Sequence, residues 1–313
     1  MYDVFTDMTD PAGQPGTQLR SEFDHAIDGI RDVLGAEVLF KLLPIARDVI
    51  GTKTGTIYCP PVSNLARNLP YYRAVLRQAG PRIRIYESSN EMEYTCSKLW
   101  GYSSAGARGV STLLGKHFAQ NMPALKKEAR ALGFEILTVG YIGTPGGFGW
   151  GDSIASPRLF TATEFLTAVQ DAYVASGGDP DYLPDAISIH AYPYSGDFGF
   201  DARREDILAY YSAWTSGVRA ELVRIFGAEV GGRIRLVMSE WNAGIQSWPG
   251  WSDGRAAAFY GPWLSMLRAD GWWAANQFNI ASQHDVLSMI TMDGTTTPTY
   301  DAFRAASLAD PVH

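Results

Sequence analysis

The stretch IRIYESSNEMEY, residues 83 to 94, begins as an apolar β-strand and ends in a cluster of acids and an amide. The polar residues are Glu87, Asn90, Glu91 and Glu93. A buried strand that finishes in polar side chains is typical of the carboxyl edge of a parallel sheet, where loops collect binding and catalytic groups. The amphipathic segment 109–133 that follows predicts a helix ending at a glycine. A strand followed by a helix is the repeating unit of α/β proteins.

The same alternation continues to the end of the chain. Short apolar runs predict further strands at 134–142, 186–194, 233–242 and 272–280. Longer amphipathic segments predict helices at 161–178, about 204–226, 254–271 and 299–309. Together with the strand at 82–90, these segments form five β-α units.

Residues before 82 predict three more strands and two helices. The strands are YDVFTD (2–7), EVLFKL (37–42) and TGTIYC (54–59), of which the middle one could also continue as helix, and the helices lie near 18–34 and 64–78. Eight units with no linker and no internal repeat favour a single (β/α)₈ barrel, formed as one domain by residues 1–313. An open doubly wound sheet is the alternative, although neither GxGxxG nor GxxxxGK[ST] follows a strand to support its nucleotide-binding form.

Composition limits the partners. The chain has 313 residues, of which 46% are hydrophobic and 19% are charged, and its formal net charge is -7. Lysines and arginines are scattered, which argues against nucleic acid or an anionic membrane surface and favours a neutral or cationic ligand. No stretch of about 18 apolar residues predicts a membrane span, and MYDVFTDMTDPAGQPG lacks the features of a signal peptide.

Polar side chains collect where the later strands are predicted to end. The groups are Asn90 and Glu91, His190 and Tyr192, Glu240 with Trp241 and Asn242, and Asn276 with Gln277. Two carboxylates, Glu91 and Glu240, are the candidate catalytic pair, because glycosidic bond cleavage needs one acid and one carboxylate and requires neither metal nor cofactor. For each glutamate taken alone, a solvated loop acid is the alternative interpretation.

These motifs resemble clan A retaining glycoside hydrolases. Residues 87–91, Glu-Ser-Ser-Asn-Glu, are similar to the E-x-x-N-E ending of the fourth strand in that clan, and Ser-Glu-Trp-Asn at 239–242 is similar to the end of the seventh. ISIHAYP (187–193) and GTTTPTYDAF (294–303) resemble segments of family 39, which contains β-xylosidases and α-L-iduronidases.

The resemblance implies a role for each matching residue. Glu91 corresponds to the acid/base and Glu240 to the nucleophile, which gives retention through a glycosyl-enzyme intermediate. Asn90 is expected to bind the 2-hydroxyl of the sugar, Tyr192 to hydrogen-bond the nucleophile and His190 to line the same subsite. A structural histidine is the alternative interpretation of His190.

Aromatic residues after the predicted strands indicate several sugar subsites, because aromatic faces stack on the C–H faces of sugars. These tryptophans are Trp100, Trp150, Trp241, Trp248 and Trp251. Trp150, Trp241 and Trp248 join Glu87, Asn90, His190, Tyr192 and Asn276 as candidate substrate-binding residues. The alternative for these tryptophans is packing of loops against the barrel.

The expected substrate is therefore an oligo- or polysaccharide. Such a substrate favours secretion if a signal peptide has been removed, and the cytoplasm otherwise. Cys59 and Cys96 follow adjacent predicted strands, so a disulfide between them is a hypothesis. Two other functions remain open: a catalytically silent glycan-binding barrel, and a metal-dependent barrel hydrolase, for which no H-x-H motif is present.

Overall fold

The computed structural model describes residues 17–33, 35–42, 65–90, 104–143, 159–194, 198–245, 247–278, 287–291 and 293–308. The helices in these residues are α1 (Thr17–Asp28), α2 (Leu65–Ala79), α3 (Ser104–Ala131), α4 (Phe160–Ala175), α5 (Arg204–Gly231), α6 (Arg255–Ala269) and α7 (Pro298–Leu308). The strands are β1 (Leu39–Lys41), β2 (Ile85–Glu87), β3 (Leu137–Tyr141), β4 (Ala186–Ala191), β5 (Arg235–Trp241) and β6 (Ala274–Gln277).

The six strands follow one another in the sheet in chain order, from β1 to β6. β1 pairs in parallel with β2, β2 with β3, and β5 with β6. A doubly wound sheet reverses its strand order at a switch point, whereas the strands of a (β/α)₈ barrel keep the order of the chain. The prediction of a parallel α/β protein is confirmed, and the six described strands keep the order of the chain.

The first two described strands pair directly with each other. Leu39 of β1 lies opposite Ile85 of β2, and Lys41 lies opposite Glu87. The strands predicted at 37–42 and 82–90 are therefore both present and adjacent. The strands predicted at 2–7 and 54–59 lie outside the described residues.

The chain forms two compact units. The first comprises Met1–Gly101, Ala105–Tyr141 and Glu164–Ala186, and the second comprises Tyr102–Ser104, Ile142–Thr163 and Ile187–His313.

In the first unit, α3 presents an apolar stripe at helical spacing. Its buried members are Val110, Leu114, Phe118, Met122, Leu125 and Ala129. Phe118 packs edge-on against Phe165 of α4, with 5.9 Å between the ring centroids. Gly115 lets the two helices approach closely, because a Cβ there would lie 2.5 Å from the Phe165 carbonyl oxygen.

In the second unit, an aromatic cluster joins α5 and α6. Tyr211 packs edge-on against Trp263 at 4.9 Å, and Trp263 stacks on Phe259 at 5.0 Å. α5 is interrupted at Gly227, where φ is 81° and ψ is 162°, a conformation that essentially only glycine adopts. The sequence predicts a helix that ends near residue 226. The regular helix does stop there, and after Gly227 a further helical segment continues to Gly231.

Among the helices within the described ranges, none is both long enough and apolar enough to cross a bilayer.

Candidate active site

Glu240 is a buried carboxylate near the end of β5, with a relative exposure of 7%. Every residue from Leu236 to Trp241 in this strand is buried. Burying a carboxylate removes its hydration and is unfavourable unless hydrogen bonds replace the lost water. A buried glutamate in this position therefore depends on the polar groups that surround its carboxylate.

The pairing of β5 with β6 changes register between Met238 and Trp241, the interval that contains Glu240. Met238 lies opposite Ala275 of β6, whereas Trp241 lies opposite Gln277, so β5 contains one more residue than its partner between these two points. Such a β-bulge bends a strand locally and changes the direction in which a side chain points, and bulges are frequent beside active sites.

Two side chains from the end of β4 contact the Glu240 carboxylate. The Tyr192 hydroxyl donates a short hydrogen bond to Oε1. His190, which is fully buried in β4, has Nε2 3.9 Å from Oε2. A phenol has a pKa near 10 and so donates to a carboxylate without losing its proton at neutral pH. The structure thus brings together three of the residues that the sequence predicts.

Asn242, one of the polar residues at the predicted strand ends, has a structural role in the folded chain. Its amide nitrogen donates to the carbonyl oxygens of Phe278 and Leu287, the latter at 3.2 Å. Its amide oxygen accepts from the Tyr260 hydroxyl at 2.6 Å and from the Ala243 N–H at 2.8 Å. One buried side chain therefore links the end of β5 to α6 and to the segments after β6. The sequence feature that pointed to this residue is an amide side chain directly after Glu240 and Trp241.

Trp241 and Trp248 are buried, with relative exposures of 0% and 2%. Trp241 packs against Trp263 and Tyr260 of α6. Trp248 stacks on Tyr194 at 4.3 Å between ring centroids, and its indole N–H donates to the Phe200 carbonyl oxygen at 3.1 Å. Both rings pack against protein side chains, so neither provides an exposed platform for a sugar.

In the first unit, polar side chains occupy the end of β2. Glu87 is completely buried, and Asn90 is partly exposed. Lys41, at the end of β1, donates from Nζ to Asn90 Oδ1 at 2.8 Å and lies 3.9 Å from Glu87 Oε2. Lys41 was not predicted as a site residue, because its contact with Asn90 depends on the register of β1 against β2. The sequence signal was a lysine at the second-to-last position of the run EVLFKL.

A second buried polar group lies beside this strand end. His117 of α3 contacts Asn121, whose amide oxygen accepts from the Tyr72 hydroxyl at 3.1 Å. Burial lowers the pKa of His117 to about 4, although an interaction with the Ser88 backbone opposes that change. His117 is therefore a neutral imidazole at physiological pH.

Five other predicted residues are exposed or lie outside the described residues. Asn276 in β6 is exposed. Glu91, Trp150, Cys59 and Cys96 lie outside the described residues. Within the described residues, no group of three or more His, Cys, Asp or Glu side chains is placed to hold a metal ion.

Solved structures similar to this chain are glycoside hydrolases. A GH5-4 broad-specificity endoglucanase from an uncultured bacterium is 12% identical, with 97% of this chain and 78% of that chain covered and a TM-score of 0.54. A glucosidase from Croceicoccus marinus is 14% identical, with 91% and 52% covered and a TM-score of 0.56. A family 39 glycoside hydrolase from Bacteroides cellulosilyticus is 16% identical, with 93% and 54% covered and a TM-score of 0.49.

The chain thus spans about half the length of the last two proteins. No protein-family model matches the sequence, and no curated protein matches it. At these identities a structural likeness shows the fold. The chain has the α/β fold of these glycoside hydrolases, which confirms, at the level of fold, the resemblance to clan A that its motifs predict.

Proposed function

We propose that the chain is a retaining glycoside hydrolase that cleaves an oligo- or polysaccharide with Glu240 as nucleophile and Glu91 as acid/base. The observation that supports this most directly is the buried Glu240 carboxylate at a β-bulge, hydrogen-bonded by Tyr192. A carboxylate held in one orientation by a hydrogen bond at the end of a parallel strand is suited to act as a nucleophile.

In the proposed first step, Glu240 attacks the anomeric carbon while Glu91 protonates the leaving oxygen, which forms a glycosyl-enzyme ester and releases the first product. In the second step, Glu91 accepts a proton from water, and that water displaces Glu240 from the sugar. Tyr192 holds the carboxylate in one orientation during attack, and its hydrogen bond supports the charge that returns to Glu240 in the second step. His190 lines the same subsite.

The position of Glu91 in this proposal is supported by its neighbours. It follows Asn90 at the end of β2, and Glu240 belongs to β5, so the two strands are three apart in chain order. Strands four and seven are likewise three apart in the barrels that the motifs resemble. We propose that the six strands belong to a (β/α)₈ barrel.

Replacement of the nucleophile tests the proposal. Glu240→Ala should abolish turnover of an activated aryl glycoside, and added azide should restore it with formation of a glycosyl azide of inverted anomeric configuration. Glu229→Ala is the matched control, because the Glu229 side chain is 88% exposed on α5 and contributes only a surface ion pair with Arg233.

Two outcomes would contradict the proposal. Undiminished turnover by Glu240→Ala would show that this carboxylate is not the nucleophile. Tight oligosaccharide binding without turnover of any glycoside, unaffected by Glu91→Gln, would favour the glycan-binding protein instead.

A further inference from the structure

Lys41 contacts two of the polar residues at the end of β2. Its ammonium group lies 2.8 Å from Asn90 Oδ1 and 3.9 Å from Glu87 Oε2. The Lys41 side chain is 20% exposed and that of Glu87 is completely buried, so the cation compensates a carboxylate that has lost its hydration. The parallel pairing places Lys41 directly opposite Glu87, so the contact follows from strand register rather than from a mobile loop.

The charge on Lys41 determines which way the Asn90 amide faces. An ammonium group donates hydrogen bonds and accepts none, so only the amide oxygen can face it. The amide NH₂ group must then face away from Lys41. An amide whose oxygen accepts from a cation is also polarised, which makes its N–H groups stronger donors.

We propose that Lys41 is a positioning residue that holds Asn90 as a hydrogen-bond donor toward the bound sugar. The site therefore selects glycosides whose 2-substituent accepts a hydrogen bond, which a free hydroxyl does. A 2-ammonium group offers only donors and would meet both the amide N–H groups and the positive charge of Lys41. This inference rests on the proposed function and on the role that the resemblance to clan A implies for Asn90, which is to bind the 2-hydroxyl of the sugar.

The test compares the 2-hydroxyl form of an aryl glycoside with its 2-deoxy form, measured as kcat/KM. Lys41→Met alone would leave Glu87 buried without its cation and could unfold the protein, so the informative variant is Lys41→Met combined with Glu87→Gln. Glu87→Gln alone is its reference, and thermal melts verify folding. Lys116→Met, at an exposed lysine of α3, is the matched control for loss of a lysine.

Loss of the Lys41 charge should lower kcat/KM roughly ten-fold or more on the 2-hydroxyl substrate, and less than about two-fold on the 2-deoxy substrate. In an Asn90→Ala background the same change should have less than about two-fold effect on either substrate. Lys41→Arg keeps a donor and a charge at this position, so it should restore most of the discrimination between the two substrates.

If loss of the Lys41 charge lowers kcat/KM equally on both substrates, the role of Lys41 is overturned while the proposed function stays intact. The same holds if loss of the charge lowers kcat/KM by its full factor in the Asn90→Ala background. Wild-type turnover of the 2-amino glycoside as fast as that of the 2-hydroxyl glycoside would also overturn it. Failure of the proposed function is recognised separately, by a wild-type protein that turns over none of these substrates or by a Glu240→Ala variant that keeps its activity.

Discussion

The hydrogen bond between Tyr192 and Glu240 joins two residues 48 positions apart in the sequence. Tyr192→Phe removes only the hydroxyl oxygen and keeps the ring, which packs edge-on against Phe278 at 6.4 Å. We expect kcat/KM to fall about 10- to 100-fold, because a hydrogen bond to a charged group contributes about 1.5 to 3 kcal/mol.

Steady-state kinetics with the best aryl glycoside, together with a thermal melt, checks this expectation. The melting temperature should change little. A variant with wild-type kinetics would show that the phenol does not support the nucleophile. Tyr182→Phe, which removes a hydroxyl elsewhere in the chain, is the control.

His117 predicts how stability depends on pH. Its pKa is lowered from 6.5 to about 4 in the folded protein, so between these values the unfolded chain binds more protons than the folded one. The lowered pKa of His117 contributes about 3 kcal/mol to the free energy of unfolding. This contribution is fully present above pH 6.5 and is lost as the pH falls toward 4.

The measurement is the free energy of unfolding from urea titrations between pH 7 and pH 4.5. Carboxylates also titrate in the lower part of this range, so the informative quantity is the difference between wild type and His117→Leu. That difference should shrink as the pH falls. His25→Leu, at an exposed histidine of α1, should leave the slope unchanged. Parallel curves for wild type and His117→Leu would contradict the expected pKa.

At the scale of elements, the contact between α3 and α4 depends on Gly115. A Cβ at this position would lie 2.5 Å from the Phe165 carbonyl oxygen and 2.9 Å from the Ala168 Cβ, and a backbone oxygen cannot move aside as a flexible side chain can. Gly115→Ala should therefore destabilise the protein by about 1 to 3 kcal/mol, in spite of the higher helix propensity of alanine.

Gly261 in α6 provides the opposite case. No atom lies within 4 Å of a Cβ built there, so Gly261→Ala should stabilise the protein by about 0.5 to 1 kcal/mol. Urea unfolding of both variants measures the contrast. A stabilised Gly115→Ala variant would show that the two helices can separate at little cost.

Periodicity was sufficient to predict the elements from residue 82 onward. All five later strands and their helices are present, and their ends differ from the predicted ones by a few residues. The pairing partner of a strand is harder to predict, because strand propensity describes a local preference, whereas the position of a strand in a sheet depends on its partners. The pairing of β1 with β2 is a long-range contact that a six-residue pattern cannot encode.

The same distinction applies to the candidate site. Glu240, Tyr192 and His190 were predictable because motifs at strand ends mark them. Lys41 and Asn242 were not, since their roles arise from pairing register and from segments that meet only after folding. The burial of Trp241 and Trp248 was also not predictable, because a loop tryptophan has the same sequence whether it packs inward or faces solvent.

At the scale of the whole molecule, a mechanism-based reagent distinguishes an enzyme from a binding protein. An activated 2-deoxy-2-fluoro glycoside of the right sugar should label Glu240 covalently and raise the melting temperature, because an adduct formed only with the folded state stabilises it. Peptide mapping by mass spectrometry identifies the labelled residue.

Glu240→Gln should not be labelled, and Glu229→Ala should be labelled as wild type is. Labelling of a different carboxylate by the same reagent would move the nucleophile away from β5. A panel of fluorinated sugars also identifies the substrate, since the reagent that labels fastest has the preferred configuration.

The irregular pairing of β5 with β6 divides the nucleophile strand into two parts. Val237 and Met238 follow the neighbouring strand step by step, while Trp241 is displaced by one position. The extra residue of β5 lies between these parts, so removing one residue there would give the strand the same spacing as β6 and leave Met238 and Trp241 opposite their present partners. Shortening the chain by a single residue at Ser239 is therefore expected to straighten the strand and shift the reactive acid relative to Tyr192, while the apolar core on both sides keeps its alignment.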